Sequence, residues 1–435
     1  MKLLFSGMQW TAFMLASSLV APIAIAELFG FSSADTAAFV QRTLFVLGIS
    51  GLVQALFGHR LPINEGPAGL WWGVFAIYAG FAGTIYSSSA AALQSLQGGM
   101  IVSGIIFILL AAFGLLNRLV RLFTPTVTFV YLLLLILQLS GSFMKGMLGL
   151  PNEEGIVRPV TMLGSLLTLV FAFYFAAHRI QWIRQYSVMI SLAFGWLLFI
   201  LLGEAPAITA SGGNWLQLPQ IFVFGPPLFD SGTMVTAAFI TLLLTANMIA
   251  SIRVMEEVIS HVTAKKQEGH YKGSGFAAGV NQAIGGIFSA IGSVPISGAA
   301  GFIAQTGNAA IRPFILGSLF VALLSICPPA VHVLASLPAP VGYAVTFVIF
   351  SKMAGFAFSE LDKEKDQPRA RLIAGIALLT GVGAMFVPAS SLVELPVAAT
   401  SILNNGLILG TIAAILVEQF IWLLHREKRN DHNTE

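Results

Sequence analysis

The sequence predicts an all-α polytopic membrane protein. Fourteen transmembrane segments form a 7+7 inverted repeat, with segments 3 and 10 broken into a short strand plus a half-helix. Three observations lead there. Only 9% of the 435 residues are charged and 57% are hydrophobic, with a mean hydropathy of +0.86. A soluble domain carries about 25% charged and about 45–50% apolar residues. Apolar stretches of roughly the 20 residues that cross a bilayer recur along the whole chain. Finally, the basic residues alternate in a way that one orientation explains.

The segments fall at about 5–27, 40–58, 65–82, 99–116, 126–143, 160–177, 186–203, 232–251, 275–292, 297–310, 313–334, 339–356, 371–388 and 403–424. Lys2 and the run to Ala24-Ile25-Ala26 resemble a secretory signal. That run is longer than a signal core and holds Pro22, so it reads as an uncleaved first span. With both termini in the cytoplasm, only Arg42, Lys145 and Arg158 of the 22 basic residues face outward, as the positive-inside rule requires. Seven spans per half, an odd number, invert the second half. The first repeat covers 1–203, an outer connecting loop 204–231, the second repeat 232–424 and a cytoplasmic tail 425–435. The polar stretches 252–273, 357–371 and 425–435 are too short to bury a core and read as solvated loops.

The third segment contains Pro62-Ile63-Asn64-Glu65-Gly66-Pro67-Ala68-Gly69, and the tenth contains Pro295-Ile296-Ser297-Gly298-Ala299-Ala300-Gly301. With one gap opposite Glu65, the two align about 232 residues apart. Paired Gly/Pro-interrupted segments point to a transport site. Two extended pieces can satisfy each other's backbone groups, and each then feeds a half-helix whose N-terminal amides can bind a polar ligand.

Candidate residues follow from the cost of polarity in lipid. Glu65 is either a functional carboxyl that binds and releases a proton, or a rim residue paired with His59 or Arg60. Trp71 and Trp72 offer a stacking face or simple packing. Asn247 and Ser251 share a helix face, which suits a ligand site or an interhelical hydrogen bond. Gln9, Asn281, Gln282, Gln305 and Asn308 read singly as structural, as does Glu418. The single cysteine, Cys327, excludes an intrachain disulfide and a Cys-based metal site. The small net charge of +3 argues against a nucleic-acid partner. No phosphate-cradling loop, zinc cluster or nucleophile–base motif is present, so neither an ATP-driven pump nor an intramembrane enzyme is expected, and no cofactor.

The chain resembles the nucleobase–cation symporter family, also called nucleobase–ascorbate transporters. The resemblance rests on Gln9, Leu61-Pro62, the tenth segment and Leu337-Pro338-Ala339-Pro340-Val341-Gly342. Gly58-His59-Arg60 through Gly69-Leu70-Trp71-Trp72-Gly73, and Phe143 through Pro151, are similar to a bacterial purine permease subgroup. The family pattern Q/E/P-N-x-G-x-x-x-x-T-R/K/G is matched from Gly298 to Gly307 in its Gly, Thr and last positions only. Gly298 stands where the family has a substrate-binding carboxylate or amide, so backbone amides from Gly298, Ala299, Ala300 and Gly301 are left to serve. Asn247 stands at the usual carboxylate position, and Gln9-Trp10 replaces a Gln-His pair.

The resemblance implies a core of segments 1–4 and 8–11 moving against a gate of segments 5–7 and 12–14, with the gate dimerising. It implies secondary active uptake of a nucleobase across the plasma or inner membrane, a purine rather than uracil. The coupling ion is expected to be a proton rather than sodium, with Glu65 taking over the carboxylate role. Glu65 and Asn247 then read the ring edge, and Trp71 or Trp72 stacks on it. A uracil permease, a sulfate-permease-like anion transporter of the same fold, and a channel or scaffold are the competing expectations.

Overall fold

Proline and glycine decide where the helices break. In the computed structural model, which describes residues 2–150, 156–206, 215–392 and 394–431, the first apolar run is two helices, α1 (Lys2–Ser18) and α2 (Val20–Leu28). They part at Leu19 because Pro22 lacks an N–H and its ring collides with the carbonyl four residues back, that of Ser18. The first half continues with α3 (Ser33–Leu56), β1 (Glu65–Pro67), α4 (Gly69–Phe81), α5 (Ser89–Ala112) and the short α6 (Leu116–Leu119). It ends with α7 (Pro125–Met147), α8 (Pro159–Ala176), α9 (Gln181–Gln185) and α10 (Ser187–Leu201). The second half opens with α11 (Ser231–Thr263), α12 (Tyr271–Ile287), β2 (Ser293–Pro295), α13 (Gly298–Thr306) and α14 (Ile311–Ser325). It closes with α15 (Pro328–Ala335), α16 (Ala339–Leu361), α17 (Gln367–Met385), α18 (Val397–Leu403) and α19 (Gly406–Asp431).

Among the described residues, seven helices are long and apolar enough to cross a membrane when α1 and α2 are taken together as one (Leu3–Leu28), or eight if α14 and α15 also form one span. Three boundaries differ from expectation. Helix α11 runs 33 residues, so the stretch expected as a loop from 252 is helical to Thr263. No Gly or Pro interrupts it between Gly232 and Ala264, which finally turns left-handed at φ 53°. The expected segment 313–334 is instead two helices bent by 92°, because Pro328 and Pro329 cannot continue α14. The last segment breaks at Asn404-Asn405, and α19 extends into the expected tail as far as Asp431. Residues 207–214 of the connecting loop and 432–435 of the tail lie outside the described residues.

Strands β1 and β2 pair antiparallel, with Glu65 opposite Pro295, Gly66 opposite Val294 and Pro67 opposite Ser293. Two more bonds extend the ladder: Ala68 N donates to Gly292 O (2.9 Å) and Ile296 N to Asn64 O (3.0 Å). This register corrects the sequence alignment. Pro67, not Pro62, is the counterpart of Pro295, since each is the last residue of its strand. A proline has no N–H for the ladder and so belongs at a strand end.

Beside the strands, α5 and α12 touch backbone to backbone. A Cβ on Gly104 would stand 2.6 Å from the Gly279 carbonyl, and one on Gly279 would stand 2.7 Å from the Gly104 carbonyl. Small residues allow such close approach between membrane helices.

Asp230 ties α11 to α5 and to the connection between α4 and α5. It caps α11 by accepting from the Thr233 amide (2.8 Å) and Thr233 Oγ1 (2.7 Å). It also accepts from Ser95 Oγ (2.7 Å) and Tyr86 Oη (3.0 Å). Burial pushes its pKa up, but these hydrogen bonds outweigh burial and hold it below the ordinary carboxylate range. Its stabilising contribution is therefore complete above the unfolded-state pKa of about 3.9 and is lost as pH falls through the lower folded value. Asp230→Ala is expected to cost about 1–2 kcal/mol, the upper range for a cap, and to flatten the acid side of a pH–melting curve. An unchanged melting temperature and acid profile would contradict this role.

Candidate functional site

A cavity of about 220 Å³ opens beside the strand pair. It is smaller than the roughly 300–1,000 Å³ pockets that hold drug-sized ligands, which suits a small molecule. α1, α2, α4, α11, both strands and the Ile296–Ser297 turn after β2 supply one wall, including Trp72, Asn247 and Ser297; α7 and α16 supply the other, including Tyr131, Thr346 and Phe350.

Two half-helices start at this cavity. Gly69 and Leu70, which begin α4, line it, as does Ser297, which precedes α13. Neither helix start carries a side-chain cap, so first-turn amides remain for other partners. The amides of Ala299 and Ala300 are not among them. Ala299 N donates to Ile296 O (3.2 Å) and Ala300 N to Ser297 O (3.0 Å). Gly301 is exposed and faces open space.

Of the residues singled out in the sequence, Asn247 and Trp72 lie on the wall. Trp72 is 4% exposed, and its Nε1–H has no partner among the described residues. Ser251, one turn past Asn247, donates to Pro295 O (2.9 Å) and fastens β2 to α11. Trp71 points elsewhere: its Nε1 donates to Gln282 Oε1 (2.7 Å), and Gln282 Nε2 donates to Ser293 O (2.6 Å). It braces β2 and offers no stacking face. Gln9 lies near Tyr186, ahead of α10, and is not among the residues lining the cavity. Trp10, at the position of the family's His, is buried core, with its ring 4.5 Å from that of Phe302. The Gln305 side chain lies outside the described residues. Glu418 accepts from Thr124 Oγ1 (2.8 Å), and Asn308 Nδ2 donates to Ser6 Oγ (3.5 Å).

Glu65 sits behind the strands and not on the cavity wall. It is 1% exposed. Ser293 Oγ donates to its Oε2 (2.7 Å), and its Oε1 has no partner among the described residues. Asn281, which neighbours it, donates to Ser50 O (3.3 Å). The rim pairing with His59 is not formed: His59 Nδ1 accepts from the Leu61 amide (3.0 Å). Glu65 can therefore act on the cavity through Ser293, next to Val294 and Pro295 on its wall.

Sequence reasoning missed three features. Tyr131 and Thr346 are polar groups inside long, mostly apolar helices, which hydropathy averages away. Glu27, near the end of α2, lines two other cavities of about 180 and 220 Å³; the Tyr343 hydroxyl close by donates to Ala24 O (3.3 Å). The apolar run before it drew attention as a possible cleavage site and not as the approach to a carboxyl.

The model of the Permease family (Xan_ur_permease) matches residues 1–390. The Bacillus subtilis protein named "Putative purine permease YwdJ" is 45% identical, covering 100% of this chain and 99% of its own length. "Uric acid permease PucK" of the same organism is 22% identical over 97% of this chain and 95% of its own. Among solved structures, the transmembrane domain of the cyanobacterial bicarbonate transporter BicA is similar in fold, with a TM-score of 0.64 at 14% identity, covering 95% of this chain and 96% of that one. The chain is a multi-pass membrane protein and belongs to the Permease family.

Proposed function

We propose that this chain is a secondary active transporter that takes up a purine nucleobase at the cavity beside the strand pair. The observation that carries the reading is the cavity itself. Two half-helix starts, the Trp72 ring and the Asn247 amide converge on a space of about 220 Å³ in a chain whose relatives are named as purine and uric acid permeases. Trp72 stacks on the ring, Asn247 reads its edge, and the amides at the start of α4 and at Ser297, ahead of α13, donate to its carbonyls.

The chain crosses the plasma or inner membrane fourteen times, with both termini cytoplasmic, as two inverted repeats. α1–α5 and α11–α15 with both strands form the core; α7–α10 and α16–α19 form the gate and the contact for a homodimer. The core slides against the gate, and since the cavity has one wall from each, sliding alternately opens it. Glu65 carries the coupling proton and signals its state to the wall through Ser293.

Uptake of radiolabelled purines and pyrimidines by cells lacking their own permeases, with and without an uncoupler, tests the reading. Purine accumulation that the uncoupler abolishes is expected. No uptake of any base would overturn it. Within the same assay, Trp72→Ala is expected to raise the apparent KM about tenfold, given roughly 1–3 kcal/mol per base–aromatic stack.

A further inference from the structure

The seam between α2 and α16 has a cavity at each end. At one end, Val20 and Ala21 of α2 and Thr346 and Phe350 of α16 line the cavity beside the strand pair. At the other end, Glu27 of α2 and Ala339 at the start of α16 line both of the cavities of about 180 and 220 Å³. Between the two ends the helices touch. Tyr343 Oη donates to Ala24 O (3.3 Å), and a Cβ on Gly342 would stand 2.9 Å from Val20 Cγ1. Residues Val20 to Ala26 of α2 and Val341 to Val345 of α16 are all buried. Among the described residues, no ion pair spans the contact.

Tyr343 is the bulkiest group in this contact and is 1% exposed. Its ring lies over Gly146 of α7, where a Cβ would stand 2.1 Å from two ring carbons. A glycine at that position leaves the ring its place between α7 and α2. The contact is also thin. Glu27 lies three residues beyond Ala24, and Thr346 three residues beyond Tyr343, a rise of about 4.5 Å on each helix. One ring therefore stands between two spaces that face opposite ends of the seam.

We propose that this contact is the barrier of the transport path and that the Tyr343 ring is its plug. The cavities around Glu27 are then the far mouth of the path, on the outer side in the orientation given above. The proposal rests on the reading of the cavity beside the strand pair as the transport site, and adds the contact that shuts it off. Because α2 moves with the core and α16 stays with the gate, sliding takes Tyr343 off Ala24, and the path unplugs as the core moves. An apolar contact with a neutral hydrogen bond parts more readily than a buried ion pair would.

Thiol labelling of the full chain tests this. Cys327→Ser removes the native cysteine, and Thr346→Cys places a reporter on the strand-pair side of the plug. A membrane-impermeant methanethiosulfonate is applied outside intact cells. Tyr343→Ala leaves a void with room for more than one water, each about 30 Å³, and is expected to speed labelling about tenfold or more. Tyr343→Phe keeps the ring and is expected to leave the rate near that of the parent. Val20→Ala thins the barrier from α2 and is expected to speed labelling severalfold, so the proposal stays testable if Tyr343→Ala does not fold. A second reporter, Ser33→Cys, is exposed on the far mouth and should label equally in all backgrounds, which separates local opening from general loosening. Unchanged labelling of Thr346→Cys in Tyr343→Ala and Val20→Ala, or equal acceleration by Tyr343→Phe, would overturn the proposal. The labelling needs no substrate, so the nucleobase reading stands or falls separately, on uptake.

Discussion

Glu65→Gln is expected to abolish pH-driven accumulation while leaving the protein folded. The amide keeps the shape of the side chain and an oxygen to accept from Ser293 Oγ, the 2.7 Å contact of the wild type. It cannot bind and release a proton. One pH unit of gradient is worth about 1.36 kcal/mol per proton, or about tenfold accumulation. Wild type should therefore concentrate substrate about tenfold per unit, and the Gln variant should stop at equal concentrations on the two sides. Exchange of labelled for unlabelled substrate should survive, because the cavity wall is intact. Glu65→Asp keeps a titratable group and should retain partial coupling. Normal accumulation in a well-expressed Gln variant would remove Glu65 from the coupling.

A second large effect concerns folding. Gly279→Leu is expected to separate α5 from α12. The obstacle is a backbone oxygen, that of Gly104, 2.7 Å from where the new Cβ must sit, so no rotamer relieves it. Overpacking typically costs about 1–3 kcal/mol when side chains can adjust, and here they cannot. The cost should exceed about 3 kcal/mol and show as loss of monodisperse protein in size-exclusion profiles. Gly383→Ala is the control: a Cβ there meets nothing within 4 Å, and the added methyl should leave stability unchanged or slightly raised. A monodisperse Gly279→Leu protein with a wild-type melting temperature would contradict the close approach.

Much of this organisation is legible in the sequence, for physical reasons that also mark where legibility ends. Lipid tolerates few charges, so hydropathy locates long helices such as α3, α7 and α16 within several residues. The dense Gly and Pro at 62–69 mark backbone that departs from helix and holds β1, whereas in the second half the strand β2 lies earlier, at Ser293–Pro295, and Gly298–Gly301 already begin α13. Register is harder to read. Proline recurs at 62, 67 and 295, and only the hydrogen-bond ladder shows which two are equivalent. Side-chain direction is harder still. Trp71 and Trp72 are neighbours in sequence, yet one braces β2 through Gln282 and the other lines the cavity. Glu65 looks like a ligand-reading acid until the strand pair turns it toward Ser293. Hydropathy does not register Tyr131 or Thr346, because any one hydroxyl in α7 or α16 scarcely changes a window average.

The central proposal is that the cavity beside the strand pair is where a purine binds. Equilibrium binding of radiolabelled urate and xanthine to purified protein, compared among wild type, Trp72→Ala and Asn247→Ala, tests it most directly. Saturable binding that weakens about tenfold or more in both variants, at unchanged melting temperature, is the predicted result. Undiminished binding in both variants would place the substrate elsewhere and contradict the proposal.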